Sequence, residues 1–334
     1  MRATRLDLYR QLEEIRESKL FLYSTSDRPG METQIAPDIL RHFIDHLDLI
    51  GKVNRISLFL YTRGGSTLAA WSLVNLLRNF CDELEVIVPF HCHSAGTLIC
   101  LGANQIIMTK QANLGPIDPS TNNLMNPQVT VNGQIQRVPV SVEFVNGYLE
   151  LVQSELGIKS EDNLSEIVRD LAGKIHPLAL GEVYRSRSQI TMLAHKLLKH
   201  QALEKEQEDE IIKFLCSDSG SHDYTIFRKE ARDELGLKIV KPDDKLYALI
   251  KATYDDLAQE LEFSTPFDTR ILLGGNSQLA YRARRSLIES LAGGTHVFTS
   301  EGSLFQTNLP AQNGGTQTIF HDRRNFEGWK HETV

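Results

Sequence analysis

The chain has 334 residues, about twice the usual length of a single domain. Hydrophobic residues make up 41% of it and charged residues 24%, a composition that excludes disordered, collagen-like and low-complexity proteins. Its 36 Lys and Arg residues are outnumbered by 43 Asp and Glu residues, so the formal net charge is −7 and nucleic acid is not expected as a partner.

Neither the cysteines nor the first twenty residues carry a targeting or metal-binding signal. No two cysteines have Cys-x-x-Cys spacing, and most lie in apolar runs, which indicates reduced thiols in the core rather than a zinc site. Charged residues interrupt positions 1–20, so this segment lacks the apolar centre of a signal peptide or membrane span. We therefore expect a cytoplasmic protein without a metal ion or other cofactor.

Strands and helices alternate over the first third of the chain. After an amphipathic helix at 4–18, the hydrophobic pattern predicts strands at 20–24, 55–61, 84–90 and 105–108 and helices at 36–48, 68–80 and 97–102. A glycine pair, Gly64–Gly65, follows the second strand, and a turn at 91–96 follows the third. This order is typical of a parallel sheet built from strand–helix–strand units.

The regular alternation of strands and helices ends after Gly115–Pro116. The sequence predicts a short strand at 238–240 and helices at 140–156, 164–171, 187–215, 227–235, 245–262 and 277–291. Glu301–Gly302 lies between two β-rich runs, 296–299 and 303–307, and is interpreted as the turn of a hairpin. The second half of the chain is therefore expected to hold a helical insertion and a small α+β extension.

Two of the strand-to-helix turns carry residues suited to acyl transfer. Ser94 stands where a strand enters a helix, so its hydroxyl is expected at a helix N-terminus, where backbone N–H groups favour developing negative charge. Gly64 and Gly65 end the preceding strand and can bring N–H groups close to a substrate carbonyl because they have no Cβ. The two turns predict a nucleophile beside an oxyanion hole, with Gly65 and Ala95 as amide donors.

Each motif also has an ordinary structural interpretation. Glycine pairs mark tight turns far more often than oxyanion holes, and a serine before a helix usually caps it. The order of the two motifs, their spacing of about thirty residues and their matching strand–turn–helix contexts favour catalysis.

Three segments carry a likeness to a known family: 58–66 (Leu-Phe-Leu-Tyr-Thr-Arg-Gly-Gly-Ser), 93–97 (His-Ser-Ala-Gly-Thr) and 112–119 (Ala-Asn-Leu-Gly-Pro-Ile-Asp-Pro). They resemble the Clp/crotonase superfamily and, within it, the serine dehydrogenase proteinase group, which is related to Clp protease and signal peptide peptidase. Segments 174–181 and 221–237 are also similar to that group. The resemblance covers roughly residues 20–240.

This resemblance implies an α/β fold with a ClpP/crotonase-like ββα spiral core. It also implies a serine peptidase that forms an acyl-enzyme on Ser94, acts on polypeptide and assembles as a homo-oligomer. The expected division is an N-terminal helix at 1–19, a protease domain at 20–264 and a C-terminal α+β extension at 265–334. An ATPase or membrane-protein partner is compatible with the family, but no motif indicates one.

The sequence leaves the general base open. The histidine that Clp protease carries after the strand following its nucleophile would fall within 114–118, which holds no histidine; Asp118 stands nearest. Signal peptide peptidases use a lysine instead, and by that resemblance Lys174 is the first candidate. Lys174 would need its apolar neighbours to depress its pKa. His176 is the second candidate, because histidine titrates near neutral pH.

Four further residues complete the predicted surroundings. Asp223 matches the place of the family's triad aspartate and is expected to orient either base. His222 is a third candidate base, weaker because its neighbour fits the acid position better. His91 and His93 flank the nucleophile and are interpreted as packing residues, since adjacent side chains along an extended segment point apart.

Three functions of different classes fit these observations. The favoured one is a serine peptidase that cleaves unfolded or membrane-released polypeptide. The second is a crotonase-type acyl-CoA enzyme, which uses an oxyanion hole without a serine nucleophile. The third is a catalytically inactive oligomeric interaction module, in which the missing histidine reflects lost catalysis.

Overall fold

The computed structural model describes residues 2–117, 120–121, 124–131, 134–138, 140–310 and 316–332. The chain divides into two compact units. The first is formed by Met1–Leu114 together with Phe227–Val334, and the second by Gly115–Ile226. The candidate nucleophile lies in the first unit.

The helices and strands follow one another in three stretches. Up to residue 114 they are α1 (Arg2–Arg16), β1 (Lys19–Thr25), α2 (Ile39–Ile50), β2 (Val53–Tyr61), α3 (Thr67–Arg78), β3 (Cys81–Val88), β4 (His91–Cys92), α4 (Ala95–Leu101), β5 (Gln105–Met108) and β6 (Asn113–Leu114). The second unit holds β7 (Ser120–Thr121), β8 (Gln128–Val131), β9 (Gln134–Arg137), β10 (Val140–Ser141), α5 (Val142–Glu150), α6 (Glu161–Lys174), α7 (Pro177–Leu198) and α8 (Lys205–Lys213). After β11 (Ile226–Phe227) the chain continues with α9 (Arg228–Asp233), β12 (Ile239–Val240), α10 (Asp244–Glu260), α11 (Thr269–Leu273), β13 (Gln278–Ser290), β14 (Gly294–Pro310) and β15 (Thr316–Glu332).

A sheet of eight strands, counted over the described residues, forms the centre of the first unit. Its order is β12-β5-β3-β2-β1-β13-β14-β15, parallel from β12 to β1 and antiparallel from β1 to β15. The C-terminal halves of β1, β2 and β3 are buried, and those of β2 and β3 are largely apolar, as expected of parallel strands covered on both faces. The predicted α/β class is confirmed. Because β2 and β3 are parallel neighbours, the two predicted turns follow strand ends at the same edge of the sheet.

The predicted helix at 277–291 is wrong, because these residues form strand β13. Ala, Arg, Leu and Glu residues dominate the segment and favour a helix locally. However, β13 lies between β1 and β14, whose backbones pair with it on both sides. The last five residues of β13 are all buried in the sheet, so tertiary pairing overrides the local preference.

The predicted hairpin about Glu301–Gly302 is also wrong, because both β-rich runs belong to the single strand β14. The register between β14 and β15 shifts at this pair, which marks a β-bulge. A Cβ at Gly302 would overlap the carbonyl oxygen of Arg323 on β15. The glycine therefore permits a close approach of two backbones rather than a chain reversal. Strands β13, β14 and β15 thus extend the main sheet.

The single helix predicted at 187–215 is two helices, α7 and α8. The first begins ten residues earlier, at Pro177, because proline favours the first turn of a helix and His176 caps it. Ala202 adopts a left-handed conformation, with φ 47° and ψ 55°, and separates the two helices. No helix in the described part of the chain combines the length and the apolarity that crossing a membrane requires.

A buried ion network holds α1 in the first unit. Arg5 is fully buried; its Nε lies 3.0 Å from Glu289 Oε2 on β13, and its guanidinium also pairs with Asp256 and Glu260 of α10. The Tyr9 hydroxyl donates to Glu289 Oε2 at 2.5 Å. Burial alone would raise the pKa of Glu289, but the charge and hydrogen bonds of Arg5 outweigh it and hold that pKa below its usual value. Glu289 is therefore ionised and paired.

We expect Arg5→Ala to lower the free energy of unfolding by about 3 kcal/mol or more, because it leaves the buried Glu289 carboxylate without its counter-charge. Arg10→Ala is a matched control on the same helix, since Arg10 pairs with Asp7 at the surface. The control should leave the stability nearly unchanged. Urea denaturation measures both effects, and equal stability of the two variants would contradict the anchoring role of Arg5.

Candidate active site

Ser94 lies between β4 and α4 in a backbone conformation that residues with a Cβ rarely adopt. Its φ is 52° and its ψ is −114°, a region that favours glycine. The residue occupies the cap position of α4, but its side chain makes no cap hydrogen bond. By contrast Ser66, at the turn after β2, accepts a bond from Ala69 N at 3.2 Å and caps α3. Ser94 is half-buried and does not serve as an ordinary cap.

The tight turn at Ser94 requires a glycine at position 96. A Cβ at Gly96 would lie 2.5 Å from Thr62 Cγ2 and 2.9 Å from Cys92 Sγ, so a side chain there would push α4 away from the strands. Gly96 N donates to His93 O at 2.8 Å and closes the turn around Ser94. A strained serine between a strand and a buried helix is the arrangement that exposes the nucleophile in many hydrolases.

The Gly64–Gly65 loop runs directly against Ser94. A Cβ at Gly64 would lie 2.9 Å from Ser94 Cβ and 3.3 Å from Ser94 Oγ. The Gly64 N–H is already used, because it donates to Thr62 Oγ1 at 3.0 Å. Gly64 therefore contributes space beside the serine, and the candidate donor is the next residue, Gly65.

Gly65 is held in place by Ile35. Ile35 N donates to Gly64 O and Ser66 N donates to Ile35 O, both at 2.8 Å. The φ of Gly65 is +140°, and a Cβ there would lie 2.5 Å from Ile35 N, so only glycine fits. Within the described residues, the Gly65 and Ala95 N–H groups have no hydrogen-bond partner. The loop against Ser94 and the turn that follows it thus each contain one N–H group without a partner among the described residues.

His91 and His93 do pack, with the His91 ring centroid 3.8 Å from that of Phe90 and 5.0 Å from that of His93, but the two rings also share a polar partner. Side chains two positions apart on an extended segment point the same way. Both rings bond to Asn113 Oδ1, at 2.9 Å from His91 Nδ1 and 2.6 Å from His93 Nε2, and both are half-buried. Burial lowers the pKa of His91, which favours its neutral ring. Asn113 lies on β6, which pairs with β4, so only the fold reveals this contact.

Lys174, in the second unit, lacks the apolar surroundings expected of a base. Its side chain is 72% exposed and pairs with Asp170 at 2.8 Å. The hydrogen bond and charge of Asp170 raise the pKa of Lys174, which is the opposite of the shift that a base requires. His176 is also exposed, and its Nδ1 accepts a bond from Leu178 N at 3.2 Å. His176 therefore caps α7 in this structure.

His222 and Asp223 lie in an exposed turn of the second unit. Asp223 N donates to Ser221 Oγ at 3.2 Å, a local contact of that turn. Asp118, the position nearest to the missing Clp histidine, lies outside the described residues. The predicted nucleophile and oxyanion residues thus share the first unit, whereas the predicted bases and acid belong to the second.

Comparison with known families agrees with the resemblance seen in the sequence. The family described as ClpP-like SDH-type serine proteinase matches residues 40–143. This segment contains both the glycine loop and the Ser94 turn, together with the 112–119 motif. The resemblance to the serine dehydrogenase proteinase group is confirmed over this part of the chain.

Similar sequences and structures extend the comparison. Two uncharacterized proteins of Methanocaldococcus jannaschii are 30% and 28% identical over 197 residues, which are 59% of this chain and 57% and 56% of theirs. The chain thus spans little more than half the length of these relatives. A mutant of the 1510-N membrane-bound stomatin-specific protease has a TM-score of 0.35 and 17% identity over 68% of this chain and 83% of its own. A ClpP1 mutant from Listeria monocytogenes has a TM-score of 0.36 and 14% identity over 71% and 99%.

Proposed function

We propose that the chain is a serine peptidase that hydrolyses peptide bonds through an acyl-enzyme on Ser94. The observation that carries this proposal is the strained serine turn placed against a glycine loop. Within the described residues, the Gly65 and Ala95 N–H groups beside it have no partner. An oxyanion is a ligand that would satisfy both donors at once.

The Ser94 turn and the glycine loop indicate the following order of steps in peptide hydrolysis. Ser94 Oγ attacks the carbonyl carbon of the peptide bond, and its proton passes to a general base. The carbonyl oxygen then carries negative charge, to which the Gly65 and Ala95 N–H groups donate. The C–N bond breaks and the base gives its proton to the leaving amine. Water attacks the remaining ester in the same way, which releases the acid and restores the hydroxyl of Ser94.

We propose Lys174 and His176 as alternative bases, with Asp223 as the acid that orients either of them. Lys174 would have to leave Asp170, and desolvation by substrate would have to lower its pKa. His176 would have to give up the bond from the backbone of α7. His91 joins them as a candidate because it belongs to the same unit as Ser94, and in its neutral ring, with Nδ1–H bonded to Asn113, Nε2 carries the lone pair.

The pH dependence of kcat/KM distinguishes these bases. If Lys174 keeps its present raised pKa, activity should still increase above pH 10.5, the ordinary lysine value. A histidine base should instead give an acidic limb near neutral pH, displaced to lower pH if the base is His91, whose pKa is lowered by burial. Lys174→Ala, His176→Ala and His91→Ala are then compared, and the base is the residue whose loss costs at least about 10²-fold. Full activity in all three variants would rule out all three assignments.

Labelling with a fluorophosphonate tests the proposed function itself. We expect one adduct on Ser94 of the wild type, no adduct on Ser94→Ala, and digestion of casein by the wild type alone. A crotonase-type enzyme would bind a CoA thioester and remain unlabelled, and an inactive module would assemble but neither react nor digest. Either of those results would contradict the peptidase assignment.

We further propose a homo-oligomer in the cytoplasm, with polypeptide as substrate. The Cys92 and Cys100 sulfurs lie 3.6 Å apart, well beyond the length of a disulfide bond, which suits a reducing compartment. If a subunit supplies its base to a neighbour, mixed oligomers of Ser94→Ala and the inactive base variant should recover activity. An ATPase or membrane-protein partner remains a proposal from the family resemblance.

A further inference from the structure

A cluster of ring nitrogens and one carboxylate lies on the first unit, built from α2 and β14. His42 and Asp45 stand three residues apart on α2 and therefore share one face of the helix. One ligand atom from each of them and one from His296 on β14 all lie within 4.8 Å of one another. The His296 Nε2 to Asp45 Oδ2 distance is 3.7 Å. These three residues are called the α2–β14 cluster below.

The cluster rests on a buried chain of hydrogen bonds. His296 Nδ1 lies 2.9 Å from His46 Nε2, and His46 Nδ1 lies 2.7 Å from Ser290 Oγ. When His296 Nδ1–H donates to His46 and His46 Nδ1–H donates to Ser290, the lone pair of His296 is on Nε2, which faces Asp45. Gly293 makes room for this chain, because a Cβ there would overlap the His46 ring. Metal-bound histidines are characteristically supported in this way through their second nitrogen.

His42 contributes a ring nitrogen that could still bind a ligand. Its Nδ1 is buried, and within the described residues it has no hydrogen-bond partner. An orphaned buried ring nitrogen costs free energy unless a ligand satisfies it. Asp45 is 53% exposed on its side-chain surface, so an ion could enter from solvent. Asp38, which accepts a bond from Trp329 Nε1 at 2.8 Å, contributes a further negative charge nearby.

We infer that His42, Asp45 and His296 bind a divalent transition-metal ion, with zinc as the expected occupant. Two imidazoles and one carboxylate are a donor set that zinc accepts, with water at a fourth, open position. Tetrahedral zinc places its ligand atoms about 3.3 Å apart, so the side chains must close by at most about 1.5 Å. The bound ion would join helix α2 to strand β14. This site could not be predicted from the sequence, because its ligands are separated by some 250 residues and include no cysteine.

Metal titration of the full chain tests the inference. The protein is first stripped with a chelator, and Zn²⁺ binding is then followed by calorimetry and by the emission of Trp329, whose ring lies 4.9 Å from that of His42. We expect one ion per chain and an increase in Tm on binding. His42→Ala and Asp45→Asn should each weaken binding at least about 10-fold. Co²⁺ in place of Zn²⁺ should give the visible absorption of a tetrahedral site.

Two control variants match the ligand substitutions. Asp48→Asn removes another exposed acid of α2, and His321→Ala removes a histidine at the opposite end of β15 from the cluster; both should bind Zn²⁺ as the wild type does. Circular dichroism confirms that each variant is folded. The inference is overturned if the wild type binds no stoichiometric ion, or if His42→Ala and Asp45→Asn bind it unchanged.

Discussion

Replacing Ser94 with glycine is expected to abolish peptide hydrolysis and at the same time to stabilise the fold. Without Oγ there is no nucleophile, so the rate should fall at least about 10³-fold. The backbone of Ser94, with φ 52° and ψ −114°, is strained for any residue that has a Cβ. Such strain costs about 1–3 kcal/mol, and glycine should recover a large part of it. Casein digestion and urea denaturation of the same preparations measure the two effects.

Ser94→Ala separates the loss of the hydroxyl from the relief of strain. This variant has no hydroxyl but keeps the Cβ, so it should be as inactive as Ser94→Gly yet less stable by about 1 kcal/mol. Residual activity close to that of the wild type in either variant would remove Ser94 from the mechanism. Equal stabilities of the two variants would show that the turn stores no strain.

Gly65→Ala is expected to have the next largest effect. The new Cβ would lie 2.5 Å from Ile35 N and closer still to Ile35 O, and neither backbone atom can move without breaking the bonds that hold the loop. The loop must therefore shift and take the Gly65 N–H away from the oxyanion. Loss of one such donor typically lowers kcat by about 10²–10³-fold. Steady-state kinetics should show the loss in kcat rather than in KM.

Gly51→Ala is the matched control for Gly65→Ala. Gly51 has a positive φ of 72°, but no atom lies within 4 Å of the position that its Cβ would take. Its replacement should therefore cost some stability through backbone strain and leave kcat unchanged. If Gly65→Ala retains full activity, the Gly65 N–H is not an oxyanion donor.

The parts of the fold that could be predicted depend on local chemistry. The C-terminal parts of strands β2 and β3 are largely apolar runs followed by turn residues, and this pattern is visible without any partner strand. The Ser94 turn and the Gly64–Gly65 loop could be found for the same reason. The presence or absence of a side chain at these positions determines which conformations and close contacts the backbone can adopt.

The parts that could not be predicted depend on partners distant in sequence. Strand β13 has a local preference for helix and becomes a strand only between β1 and β14. His91 meets Asn113 only because β4 pairs with β6. Lys174 has apolar neighbours in the sequence, but its side chain is exposed at the surface. There it pairs with Asp170, which raises the pKa of Lys174 rather than lowering it.

The most direct measurement of the central claim is a crystal structure of the protein after reaction with a fluorophosphonate. We expect a covalent bond from Ser94 Oγ to phosphorus, with the phosphoryl oxygen about 3 Å from both Gly65 N and Ala95 N. A phosphoryl oxygen directed to solvent, away from these two amides, or an adduct on another residue would contradict the account.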